Sequence, residues 1–406
     1  MPTTTAPHAA GREGADVSLI LAARGLRSFG YGLLAVLLGV ALSRAGLSPA
    51  AVGALITVSL LGDFCSTYVV GQGADQWGRR RTLVALALLM AATGAVFGLT
   101  DRYPVLLFAA FFGTLGTSAS ETAPFLPIEQ AILAQGCAPE ARTALFARYN
   151  FVAWVAGAAG ALAAGLPDLL THAGLPMATG IRLLFGVYTV LALAVALLVL
   201  RLSPGVERGG AAARQDTRGW ARLVPPLGRS RRIVLHLSAL FSVDALSGGL
   251  TVQSLMVLYF HLRFGVPLAS LAVLFFGANA LSALSFLAAA PLARRFGLLN
   301  TMVFTHLPSN LLLALVAVMP TFPLAALVLL LRQTLSQMDV PTRQAYTMAL
   351  VAPEERTAAA SVTSLARSAG SATSPVFSGL LLQGSLLTYG IPFLVAGGLK
   401  VAYDLT

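Results

Sequence analysis

The feature that most constrains this chain is a train of apolar blocks, each long enough for a bilayer, set apart by short clusters of arginine, glycine and proline. From Val17 the blocks run approximately 17–43, 49–71, 82–100, 104–134, 143–166 and 180–201, then 232–260, 267–290, 299–319, 322–350, 357–382 and 387–405. A hydrocarbon core about 30 Å thick takes around 20 apolar residues per helical crossing, so each block reads as one crossing. The expected fold is all-α and integral to the membrane, with twelve transmembrane helices. Composition excludes the soluble alternative. Asp, Glu, Lys and Arg make up 11% of the 406 residues and hydrophobic residues 57%. That is too little polar side chain to cover a soluble body of this size.

The formal net charge is +11, from 27 basic and 16 acidic residues. The arginines collect between apolar runs, where they orient helices and meet lipid headgroups, so nucleic acid is not the expected partner. Arg79, Arg80, Arg81, Arg142, the Arg201 to Arg232 cluster, Arg294, Arg295 and Arg356 fall in loops on one side, and Arg44, Arg102, Arg182 and Arg263 on the other. The positive-inside rule then places both termini in the cytoplasm of a multi-pass plasma (inner) membrane protein. Residues 1–16 are small and polar, lack the apolar core of a secretory signal, and read as a cytoplasmic tail. Residues 17–201 and 232–406 read as two six-helix bundles, and the Arg/Gly/Pro-rich 202–231 as the cytoplasmic linker between them. Cys65 and Cys137 read as packing residues, not as a disulfide or metal framework.

An internal repeat supports the division. PIEQAILAQGCAPEARTA and PTRQAYTMALVAPEERTA align at an offset of 214, placing Pro127, Gln130, Glu140 and Arg142 on Pro341, Gln344, Glu354 and Arg356. Glu129 falls on Arg343. A weaker echo places Gly78 and Thr82 on Gly297 and Thr301. Parallel six-helix repeats are the arrangement expected of a transporter that exposes a midplane site alternately to its two sides.

The second loop reads GQGADQWGRRR, with Gly71, Asp75, Gly78, Arg79 and Arg80 at the positions of a GxxxDxxGRR-type signature and Gln76 in place of the usual basic residue. In this motif, its location, the linker and the duplication, the chain resembles the major facilitator superfamily of secondary transporters. That resemblance implies two pseudo-symmetric bundles and a cytoplasmic latch at the signature loop. The proton antiporter branch is a looser match: Gly370, Pro375 and Gly379 approach its glycine-proline hinge, while its usual arginine in the fourth helix is missing. Glycine suits a tight turn there, Asp75 suits a neighbouring helix N-terminus, and the arginines suit helix C-terminal carbonyls or lipid phosphates.

Ionisable side chains within apolar helices are costly and mark candidate sites, although a structural ion pair or a snorkelling arginine is the alternative for any one of them. The candidates for substrate binding or proton coupling are Arg24, Arg27, Asp63, Glu121, Arg148, Asn150, Asp244, Arg332, Asp339 and Arg367. Gly71, Asp75, Gly78, Arg79, Arg80, Glu129, Glu140, Arg142, Arg343, Gln344, Glu354 and Arg356 are the candidates for a cytoplasmic gate. Arg24 with Arg27, and Asp339 with Arg343, share helix faces by spacing. Glu129 and Arg343 are expected to meet as an inner-gate salt bridge. Asp63 is expected to pair with Arg367, or with Arg24 or Arg27. Glu121, Asp244 and Asp339 are the expected proton carriers. His236, His261 and His306 read as lone histidines, and no metal site or cofactor is expected.

The function expected is proton-coupled export of a small organic molecule by alternating access, carried out by a monomer in the lipid bilayer. Transport of an organic or inorganic anion is the alternative within transport, and a non-transporting membrane receptor or scaffold the alternative from another class. An enzyme is not expected, because no nucleophile, acid and base arrangement can be read.

Overall fold

A computed structural model describes residues 7–117, 124–135, 137, 142–207, 228–352, 355–385 and 388–406. Described residues are helical or in turns, with no strand among them. The first half contains α1 (Pro7–Arg44), α2 (Pro49–Trp77), α3 (Arg79–Leu99), α4 (Tyr103–Phe112), α5 (Phe125–Gln135), α6 (Arg142–Ala163), α7 (Leu166–His172) and α8 (Met177–Leu200). The second contains α9 (Arg231–Leu250), α10 (Gln253–Phe264), α11 (Leu268–Phe296), α12 (Leu298–Val316), α13 (Phe322–Gln333), α14 (Asp339–Leu350), α15 (Arg356–Thr373), α16 (Pro375–Leu382) and α17 (Ile391–Asp404).

Among the described residues, eight stretches, including most of α1, α3, α8 and the joined α9–α10, are long and apolar enough to cross a membrane. The fourth and tenth apolar blocks depart from single helices. Each splits into a short apolar helix, α4 or α13, and a more polar one, α5 or α14. The seventh and eleventh blocks also break, at Thr251–Val252 and at Ser374 before Pro375. A proline at the first turn of α16 lacks the N–H that would continue the ladder from α15. α1 begins at Pro7, so part of the expected tail is helical. Asp16 is tied to the start of the linker, accepting from the Ser203 amide at 2.9 Å.

The α2–α3 turn explains the signature loop. Gly78 stands at φ 98°, and its repeat partner Gly297 at φ 84°, a region open to glycine because it has no Cβ. The amides of Arg79 and Arg80 at the start of α3 donate to Glu207 at 2.8 and 3.0 Å. Asp75 instead accepts from Arg79 Nε one turn later at 2.7 Å. The expectation that Asp75 serves a helix N-terminus is thus corrected: Glu207, from the turn after α8, does so, because an anion beyond α8 can reach two free amides at once. In the second half Glu355 does the same for the start of α9, accepting from Gly228, Arg229 and Ser230 at 2.8, 3.0 and 2.9 Å. Both devices lie on the face that carries the linker.

The halves join at the opposite face. A Cβ on Gly53 in α2 would lie 2.6 Å from Pro375 O and 2.8 Å from Gly379 Cα, so only glycine lets α2 and α16 approach this closely. Hydrogen bonds cross beside it: Val376 N to Thr57 Oγ1 at 3.0 Å, Ser254 N to Thr117 O at 3.2 Å, and Ala269 N to Asp168 Oδ2 at 2.6 Å. On the linker face, the hydrogen bonds and ion pairs of the described residues stay within one half.

Candidate functional site

Each half buries its own charge cluster. In the first, α1 presents Arg27 to Glu129 of α5 through two parallel hydrogen bonds of 2.7 and 2.8 Å, both side chains 0% exposed. Tyr149 of α6 donates to the same carboxylate at 2.6 Å. The Arg27 guanidinium lies 4.2 Å from the Phe125 ring centroid, and Arg24, one turn earlier on α1, lies 4.5 Å from that of Tyr149. Ring faces carry partial negative charge, so they stabilise both cations where water is excluded. Bidentate geometry satisfies both carboxylate oxygens, which is what permits the pair to be this deeply buried.

The second cluster centres on Asp244 of α9. Its Oδ2 accepts from Arg343 of α14 at 3.1 Å and from Arg367 of α15 at 2.9 Å, and its Oδ1 accepts from Lys400 of α17. Arg343 also donates to Asp339, one turn earlier on α14, at 2.8 Å. His306 of α12 contacts Asp404 Oδ1 through Nδ1 at 2.6 Å and holds its Nε2 3.8 Å from Asp244. Asn310 completes the Asp404 site with a 2.8 Å donation. Arg332, at the end of α13, donates to Gln333 at 3.0 Å. Most of the cluster is buried, while the Arg367 side chain is 34% exposed and is its accessible edge.

These geometries correct several expected pairings. Glu129 does not meet Arg343: each is neutralised inside its own half, where the partner is already desolvated. Since 343 − 129 = 214 and 244 − 27 = 217, the two ion pairs occupy equivalent helices, and position, to within about one turn, with the signs exchanged. Asp63 takes neither Arg367, which binds Asp244, nor Arg27, which binds Glu129. The expected Asp339–Arg343 pair is present. His306 is not a lone histidine, and Lys400 and Asp404 belong to the cluster although sequence reading passed them over. Both are ionisable groups four residues apart in an apolar block, a signal the same cost argument should have caught.

Other expected site residues lie elsewhere. Arg142, Arg148 and Gln344 are exposed, Asn150 is half-buried, and Gly71 is exposed with nothing packed on it. Arg79 joins the loop to α5 through Gln135 at 2.8 Å, and Arg80 contributes its amide. Glu121, Glu140, Glu354 and the Arg356 side chain lie outside the described residues. Cys65 is exposed. No group of three or more His, Cys, Asp or Glu suited to a metal ion occurs among the described residues.

Two duplicated helical bundles, sealed together at one face and each carrying a desolvated charge cluster, make up the architecture of a membrane transporter. Residues 20–375 match the family model of the Major Facilitator Superfamily, and the chain belongs to that family. A membrane protein of Saccharomyces cerevisiae, the uncharacterized YJR124C, is 27% identical over 417 residues, spanning 96% of this chain and 92% of its own. Among solved structures, the nucleoside transporter NupG superposes with a TM-score of 0.72 at 14% identity, covering 96% of this chain and 97% of that one. The human organic anion transporter MFSD10 gives 0.62 at 19% identity, covering 99% of both. The protein is a multi-pass transporter and not an enzyme.

Proposed function

We propose that this chain is a proton-coupled secondary transporter that moves a small organic molecule outward across the plasma membrane by rocking its halves about the glycine contact between α2 and α16. In this reading the chain crosses twelve times, with the broken blocks each counting once. The linker face is cytoplasmic because it carries Arg79 to Arg81, Arg201, Arg229, Arg231 and Arg232. The observation that carries the proposal is the asymmetry of the joint: cross-half hydrogen bonds and glycine packing at one face, and polar networks closed within each half at the other. That geometry suits a state open to the cytoplasm, from which a substrate loads. The monomer is taken as the working unit, since both clusters are complete within one chain.

The test is flux in proteoliposomes, with a panel of labelled small organic solutes and an imposed pH gradient. Gradient-driven movement that a protonophore abolishes supports the reading. Absence of flux across the panel in either gradient direction refutes it and favours a non-transporting receptor.

A second reading, transport of an organic anion, is favoured by the charge balance of the second cluster. Four cations, Arg332, Arg343, Arg367 and Lys400, face three carboxylates, Asp244, Asp339 and Asp404, a surplus of 4 − 3 = 1 before His306 is counted. Arg367→Gln should then abolish transport of carboxylates while sparing neutral solutes; equal loss of both would count against it.

A further inference from the structure

The carboxylates of the two clusters are committed. Glu129 holds Arg27, Asp244 holds Arg343, Arg367 and Lys400, Asp339 shares Arg343, and Asp404 holds His306 and Asn310. Asp63 on α2 differs. It is buried, and among the described residues it has neither a cation within 4.0 Å nor a donor to its Oδ1.

Buried hydroxyl side chains of the first half accompany it. Ser59 lies one turn away on the same face of α2 and is fully buried with Oγ unbonded. Tyr31 of α1 and Thr114 beyond α4 are also buried. The Tyr188 hydroxyl of α8 is occupied, donating to Thr114 O. The charged groups that α1, α5 and α15 bring toward α2 are Arg24 and Arg27, Glu129, and Arg367. Arg27, Glu129 and Arg367 pair away from Asp63, and Arg24 lies against Tyr149. The membrane portions of α3, α4 and α16 carry no charged residue.

We propose that Asp63 is the side chain that takes up the coupling proton. A carboxylate without a counter-charge in an apolar bundle is far costlier than the neutral acid, so Asp63 accepts a proton from water on the linker side. Release of the proton restores a bare anion and favours any rearrangement that gives it a partner. α2 is one of the helices through which the halves touch, at Gly53 and Thr57, so that preference acts on the joint itself. This assignment rests on the proton-coupled reading above.

The experiment is infrared difference spectroscopy of the purified full-length chain in lipid nanodiscs as pH is stepped through neutrality, with protons as the sole probe. Wild type should show a carboxylic C=O band that bleaches as pH rises, that Asp63→Asn removes and that Asp63→Glu restores at a shifted position. Identical spectra from wild type and a monodisperse Asp63→Asn variant overturn the assignment, as does a band that responds to added NaCl at fixed pH and not to pH. No substrate enters the measurement, so a bleaching band without flux in proteoliposomes refutes the transport reading and leaves the site standing. Flux that stays gradient-driven in Asp63→Asn overturns the site and leaves transport standing.

Discussion

Removing the carboxylate of Glu129 is the sharpest test of how the first half is held together. Its partner Arg27 is 0% exposed and donates two charge-assisted hydrogen bonds to this one side chain. Breaking a buried pair from one side leaves an uncompensated charge and costs about 3–5 kcal/mol, whereas replacing both partners by apolar residues of similar volume is often neutral or stabilising. Glu129→Leu also strands the Tyr149 hydroxyl, which donates to the same carboxylate at 2.6 Å and adds roughly 1–3 kcal/mol to the loss. The single variant is therefore expected to fall by about 4–8 kcal/mol, and Arg27→Met with Glu129→Leu to recover most of the 3–5 kcal/mol assigned to the ion pair. Equilibrium unfolding in mixed micelles across the double-mutant cycle measures both. A single-variant loss under about 1 kcal/mol, or a double variant no more stable than the single, would show that Arg27 finds other compensation and refute the reasoning.

Four further outcomes are expected. Glu207→Ala removes the acceptor for two amides at the start of α3 and should cost about 0.5–2 kcal/mol, read by thermal melting against a neighbouring surface variant. Gly53→Leu drives a side chain into Pro375 O and the backbone of α16, so cysteine probes at the face opposite the linker should label faster; unchanged labelling would mean that the halves do not pivot there. Lys400→Met should loosen Asp244 and raise protease sensitivity of the α9–α15 pair, while the same change at exposed Arg148 should not. Glu355 is held below the usual carboxylate range by Ser230, first, and by the amides of Gly228 and Arg229. Its contribution is therefore complete above the unfolded value of roughly 4.3 and lost as pH falls through the lower folded value. The protection of the Gly228, Arg229 and Ser230 amides against hydrogen exchange, taken relative to their intrinsic rates at each pH, should fall in acid, and Glu355→Gln should remove that acid dependence.

The charge clusters were half legible beforehand. Arg27, Glu129, Asp244, Arg343 and Arg367 stand out because an ionisable residue in an apolar helix needs a reason. Their partners do not, because repeat alignment relates Glu129 to Arg343 by symmetry and says nothing about contact. A twofold relation puts equivalent residues in equivalent surroundings, not beside each other, which is why the expected cross-half bridge resolves into two bridges of opposite polarity. Glu207 and Glu355 escaped notice for a related reason. A carboxylate in a polar segment carries no cost that flags it, and its role appears when another helix begins beside it.

What the sequence determined by itself is the solvent and the duplication. Apolar block length sets the bilayer as surroundings, the 214-residue offset sets two bundles, and glycine at 78 and 297 sets the turns, because these follow from local chemistry and spacing. The tertiary structure decided which charges meet, where Arg24 stacks, and that Asp63 stands apart from the ion pairs of both clusters. Those depend on helix rotation and crossing to within a few ångströms, a precision that no periodicity in the chain encodes.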